Sequence, residues 1–214
     1  MKNVFLGEYI KQRRLDLGLT QEQLCDGICE PMTLSRLENG KQTPSRNRIN
    51  ALLQRLGLPD DRYFALLSKN ELEMEALQKE IVACNANHRV EEGFETLKKF
   101  EQIADHDDQI AQQFILRSKV LLGRLDQRYT PQEQIDLLMQ AIRLTVPRFN
   151  LDEIERFFYS TDEIKIINQI GIAYSDDGQN KKAADIYYQL LKYVRKHFEE
   201  IITSVGILPM VYFN

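Results

Sequence analysis

The sequence predicts an all-α protein, and three observations predict it. Apolar residues recur at helical spacing along nearly the whole chain, and the period-two alternation of strands is almost absent. In the first third, a capping box, N-cap residues and glycine stops mark out short helices. From Glu71 onward the helices lengthen and come in pairs, which points to a helical repeat array.

The elements follow in order. Phe5, Leu6, Tyr9, Ile10 and the run Arg13 to Leu17 form a first amphipathic helix, ended by Gly18. Thr20-Gln21-Glu22-Gln23 is a Thr-x-x-Gln capping box for a second helix, which stops at Asp26-Gly27. A third begins at Pro31, a residue suited to a first helical turn, and ends at Asn39-Gly40. Ser45 caps a fourth that runs to Leu56, and a fifth short one follows Pro59 up to Leu67. The pairs are then 71–86 with 90–105, 108–123 with 131–145, and 164–176 with 180–197, with a linking helix near 151–158.

The chain has 214 residues, 43% of them hydrophobic and 28% charged. That composition argues against disorder, and the length suits one large or two small domains at roughly 100–200 residues each. We expect a boundary after residue 67. No apolar run approaches the ~20 residues of a membrane span, and the N-terminus lacks a secretory pattern, so a cytoplasmic protein without membrane contact is expected. Three cysteines do not suggest a disulfide framework. The net charge of −4 is unevenly spread: residues 1–67 carry ten Lys/Arg against eight Asp/Glu, the remainder eighteen against twenty-four. A basic excess at the N-terminal end permits nucleic-acid binding without establishing it.

Residues 5–67 closely resemble the Cro/cI-type (XRE) helix-turn-helix domain. Leu6-Gly7-Glu8-Tyr9-Ile10-Lys11, Arg14, Gly18-Leu19-Thr20-Gln21, Leu24, Leu34-Ser35-Arg36-Leu37-Glu38-Asn39-Gly40-Lys41 and Pro44 carry the likeness in order. The resemblance implies that the helix from Pro31 to Glu38 enters the major groove, where each base pair shows a distinct donor and acceptor pattern. Its groove-facing residues would be Glu30, Pro31, Met32, Thr33, Ser35 and Arg36, with Leu34 and Leu37 turned to the core. Arg36 is the preferred base reader, because a guanidinium bridges two acceptors of guanine. Met32 or Thr33 would meet a thymine methyl. Gln21, Asn39, Lys41 and Arg46 would hold phosphates, and Arg14 with Glu38 would form a structural ion pair.

The third pair also resembles the 34-residue tetratricopeptide (TPR) repeat. Ile167, Ile170-Gly171, Tyr174, Gly178, Ala183, Tyr187 and Leu190 fall at its offsets, and the small residues would let two helices cross closely. In the second pair, Ile135, Met139, Ile142 and Pro147 match; in the first, Gly93, Leu97 and Phe100. The ending Ile207-Leu208-Pro209-Met210-Val211-Tyr212-Phe213-Asn214 reads as the opening of a further repeat, so the solenoid is expected to be C-terminally incomplete.

The turn Asp26-Gly27-Ile28-Cys29 is one residue shorter than in most such domains. With Leu34 to Lys41 after it, it resembles the Rgg branch of the peptide-responsive (RRNPP-type) regulators, and the paired helices share that group's texture. The resemblance implies residues 1–67 as a DNA-binding domain and 68–214 as a right-handed TPR-like solenoid for sensing and dimerisation. It implies a homodimeric transcriptional regulator of promoter DNA, switched by a short signalling peptide on the concave face. Side-chain amides offer a peptide backbone both donor and acceptor, so Asn168 and Asn214, with Gln169, Gln134 and Arg117, are the candidate peptide contacts.

Other readings are weaker. His88, His106 and His197 are scattered, there is no phosphate loop or nucleophile motif, and no enzyme, cofactor or metal is expected. Asp105-His106-Asp107-Asp108 reads as a solvated loop. Cys25 and Cys29 lack partners at zinc spacing and read as packing residues, with redox sensing at Cys29 as a lesser alternative. The functional alternatives are a TPR-type adaptor and a phage-like repressor or antitoxin without a peptide ligand.

Overall fold

The computed structural model describes residues 6–58 and 69–197. The described residues are α-helical without strands. The short helices are α1 (Leu6–Asp16), α2 (Gln21–Cys25), α3 (Pro31–Glu38) and α4 (Arg46–Arg55). The long ones are α5 (Lys69–Ala86), α6 (Val90–Ile103), α7 (Gln109–Leu125), α8 (Pro131–Thr145), α9 (Thr161–Asp176) and α10 (Asn180–His197). None of them is long and apolar enough to cross a membrane. The expected fifth short helix and the boundary after residue 67 lie outside the described residues.

Local signals set several helix starts. Thr20 Oγ1 accepts from Gln23 N (3.1 Å) while Gln23 Oε1 accepts from Thr20 N (2.8 Å). Thr130 with Glu133 and Ser160 with Glu163 form two more reciprocal caps. The Ser160 cap starts α9 at Thr161, earlier than the periodicity suggests. Ser45 precedes α4 but makes no side-chain cap bond. The linking segment is not an α-helix: it is a 3₁₀ turn over Leu151–Arg156, capped by Asn150 Oδ1, which accepts from Asp152 N (3.1 Å), and interrupted where Glu153 leaves helical geometry. Helix α7 also runs past Gly123 to Leu125, and a Cβ on Gly123 would lie 2.5 Å from the Tyr129 ring.

Three apolar clusters hold the chain. Ile10, Leu24, Leu34, Ile49, Leu52 and Leu53 centre the N-terminal unit, and Ile110 and Phe158 of the repeat body pack onto it. Phe100, Leu97 and Leu122 centre the α5–α7 cluster. Leu138, Ile142, Ile167, Ile170 and Tyr193 centre the cluster of α8 to α10. The long helices pack in chain order, each against the next. At the crossing of α9 and α10, a Cβ on Gly171 would lie 2.5 Å from the Tyr187 ring, so the small residue does permit the close approach. Gly93 serves a different crossing: its missing side chain leaves room for Leu122 of α7.

Candidate nucleic-acid interface

Helix α3 is presented on a rigid base. Leu34 and Leu37 are buried beneath it, while Glu30, Met32, Arg36, Asn39 and Lys41 are exposed. Pro31, Thr33 and Ser35 are half-buried between these faces. Met32 has 64% of its surface exposed, an apolar group held in solvent at the expected reading position. An exposed thioether and guanidinium one turn apart on one helix suit a thymine methyl and a guanine edge.

The base is fixed by Arg14 and Glu38. Arg14 Nε and Nη2 reach the two oxygens of Glu38 at 2.6 and 3.0 Å, and Nη1 donates to Leu19 O at 2.7 Å. The hydrogen bonds from Arg14 to Glu38 raise the already high pKa of the guanidinium. Gln21 Nε2 donates to the same carboxylate (2.7 Å), so the amide expected to hold a phosphate also braces the ion pair. Asn39 Nδ2 caps the end of α3 through Ser35 O (2.7 Å). Arg46 is turned toward the repeat body, where Nη1 lies 3.0 Å from Glu75 Oε2.

The turn ahead of α3 bears on the repeat body. Gly27 has φ +72°, and a Cβ there would lie 2.0 Å from Thr145 O at the end of α8. Arg55 of α4 fills the seam: Nη1 donates to Leu24 O (3.1 Å) and Asp26 O (2.6 Å), Nη2 to Thr145 O (2.7 Å) and Glu163 Oε1 (2.8 Å). Sequence reasoning missed both members of this pair. One signal was available: Arg55 follows Leu52 by three residues, on the apolar face of α4.

Among the peptide candidates, Arg117 and Gln169 come together, with Nε 3.2 Å from Oε1. Arg117 also lies 3.8 Å from Asp162, and burial lowers its pKa. Asn168 is buried inside α9's packing. Gln134 is buried too and donates to Tyr129 O (3.0 Å), holding the loop before its own helix. Asn214 lies outside the described residues. A cleft of about 210 Å³ opens between α4 and the repeat body. Asn47, Asn50 and Gln54 line one wall, and Gln78, Gln113 and Arg117 the other.

The cysteines are free thiols. Cys25 Sγ donates to Glu22 O (3.8 Å); the neighbouring Cys29 thiol, with burial adding to it, raises Cys25, and the Cys25 thiol in turn lowers Cys29. Asp105 and Asp108 bond backbone amides of their own loop and the start of α7. Glu80, Cys84 and Glu92 converge closely enough to consider a metal, but Arg89 already bridges the two carboxylates at 2.9 and 2.7 Å.

Residues 6–63 match the family model described as a helix-turn-helix domain. No curated protein matches the chain. A solved structure of Bacillus thuringiensis PlcR, in complex with the peptide PapR7 and DNA, is similar to it at 22% identity and a TM-score of 0.48. That similarity covers 90% of this chain and 65% of PlcR, so the chain spans less than two thirds of that protein's length.

Proposed function

We propose that this protein is a sequence-specific DNA-binding transcriptional regulator, acting as a homodimer and controlled by a short signalling peptide bound by the TPR-like body. The observation that carries the DNA-reading part is the presentation of α3: Met32 and Arg36 stand exposed above buried Leu34 and Leu37. The match of residues 6–63 to a helix-turn-helix domain supports it. In this reading Glu30, Pro31, Met32, Thr33, Ser35 and Arg36 face the groove, and Gln21, Asn39, Lys41 and Arg46 approach the backbone. Arg46 reaches a phosphate only by leaving Glu75, so its contribution depends on how the two units move.

The cleft supports the peptide part. Its walls carry the amides of Asn47, Asn50, Gln54 and Gln78 and the Arg117 guanidinium, beside a Gln113 whose nitrogen already donates to Ala141 O and Thr145 Oγ1, and amides pair equally with backbone N–H and C=O. Of the candidate contacts, Arg117 and Gln169 are hydrogen-bonded to one another.

Selection of duplexes from a random pool tests the first part. A palindromic site with steep salt dependence is expected. Failure to enrich any site overturns the DNA-reading proposal in favour of an adaptor. Thermal melting with short peptides encoded beside the gene tests the second part. A ligand that binds the folded state raises Tm by mass action; no shift with any of them favours a regulator without a peptide.

A further inference from the structure

We infer that the turn between α2 and α3 is a docking face for the repeat body, and that Arg55 positions the recognition helix through it. The consequence for DNA rests on the reading of α3 given above; the docking itself does not.

The contact is backbone on backbone. Gly27 sits against the last carbonyl of α8, with no room for a side chain. Gln109, with its amide nitrogen turned to the two carbonyls, donates to Gly27 O (2.5 Å) and Leu144 O (2.9 Å). Arg148, just beyond α8, lies 3.5 Å from Asp26. The shortened turn therefore meets α8 directly.

Arg55 ties the two sides together. Its four hydrogen bonds divide evenly, two to carbonyls flanking the end of α2 and two to the repeat body. Its side chain and that of Glu163 are each 2% exposed. A planar guanidinium fixes direction at each bond, which a flexible ammonium does not. Buried ion pairs contribute little net stability compared with apolar packing, and Arg55 Nε lacks a hydrogen-bond partner. What the arrangement supplies is a single relative geometry.

Glu163 extends the connection. Its second oxygen accepts from Ser160 N (2.5 Å) and closes the cap of α9. A shift of α9 moves this carboxylate, and Arg55 carries the shift to Leu24 O and Asp26 O, just ahead of α3. In a dimer, the separation of two recognition helices follows.

The test uses the full chain and duplexes bearing two copies of its selected half-site with the spacer varied. Arg55→Met/Glu163→Gln removes both buried charges and keeps an oxygen for the α9 cap. Arg55→Lys, which keeps the buried charge and loses the planar fork, is the second variant, should the double variant fail to fold. Base preference within a half-site, and affinity for a single half-site within about twofold, are expected to persist. Discrimination between spacers is expected to fall tenfold or more in the double variant and in the same direction in the single one. Unchanged discrimination in a folded variant overturns the positioning role. If the unsubstituted chain selects no DNA, the DNA-reading proposal fails, and hydrogen exchange decides the docking alone. Amides of 26–29 and 161–164 should then lose protection together in the variants, and retained protection overturns the inference.

Discussion

Arg14 and Glu38, 24 residues apart in sequence, meet as a buried two-pronged ion pair that joins α1 to the last turn of α3. Removing one partner of such a pair strands a charge in the interior, at a cost of about 3–5 kcal/mol. Arg14→Ala is therefore expected to lower unfolding stability by that order, measured by denaturant titration of the helical signal. DNA binding should fall with the folded fraction, and base preference should not change.

Arg36 should behave in the opposite way. It is exposed and holds no part of the core, so Arg36→Ala should leave the denaturant midpoint unchanged. It should cost about 1–3 kcal/mol in binding and relax preference at one base pair per half-site. Lys41→Ala should weaken binding to all sequences alike and reduce the salt slope by about one. Equal losses on all sequences for Arg36→Ala would assign it to the phosphates.

Gly27 and Gly18 both have φ near +70°, but only Gly27 faces another backbone. Gly18→Ala should cost the left-handed penalty alone, about 1–2 kcal/mol. Gly27→Ala should cost more, because its Cβ meets the Thr145 carbonyl and the docked units must separate. Urea unfolding of the two variants side by side measures the difference; equal losses would mean that the contact with α8 yields freely.

Gly171→Ala should be destabilising even though alanine favours helices by about 1 kcal/mol over glycine. The new methyl would press into the Tyr187 ring, and overpacking costs about 1–3 kcal/mol. In a Tyr187→Ala background the same change should become stabilising. A double-mutant cycle by thermal melting reads that reversal of sign.

His197 gives a pH dependence. It packs against Tyr193 (4.6 Å between ring centroids) and Phe158 (5.3 Å), and burial lowers its pKa below the ordinary 6.5. The unfolded chain therefore takes up the proton first. Stability should begin to fall as pH drops through 6.5 and keep falling until the folded histidine also protonates. His197→Phe should flatten that part of the pH profile, as followed by urea midpoints between neutral and mildly acidic pH.

Among the described residues, the sequence by itself settled the α-helices and their order, because apolar spacing and local caps or stops mark most of them. The Thr20–Gln23 box, Pro31, Gly40 and the spacing of Leu34 and Leu37 define α3 and its exposed face within about twenty residues. Periodicity was less able to place 3₁₀ structure at Leu151–Arg156, where the backbone of Glu153 leaves helical geometry. It also could not show that Asn168 and Gln134 would be buried, since an amide reads alike on either face until neighbouring helices cover it.

The seam between the two units was decided only by tertiary structure. The place of Arg55 on the apolar face of α4 hints at burial but names no partner, and nothing local distinguishes Glu163 from an ordinary capping residue. Their meeting joins positions 108 residues apart, and the chain gains those hydrogen bonds only when α4, α8 and α9 are already in place. Local signals determined which residues α3 presents; long-range packing decided what holds it there.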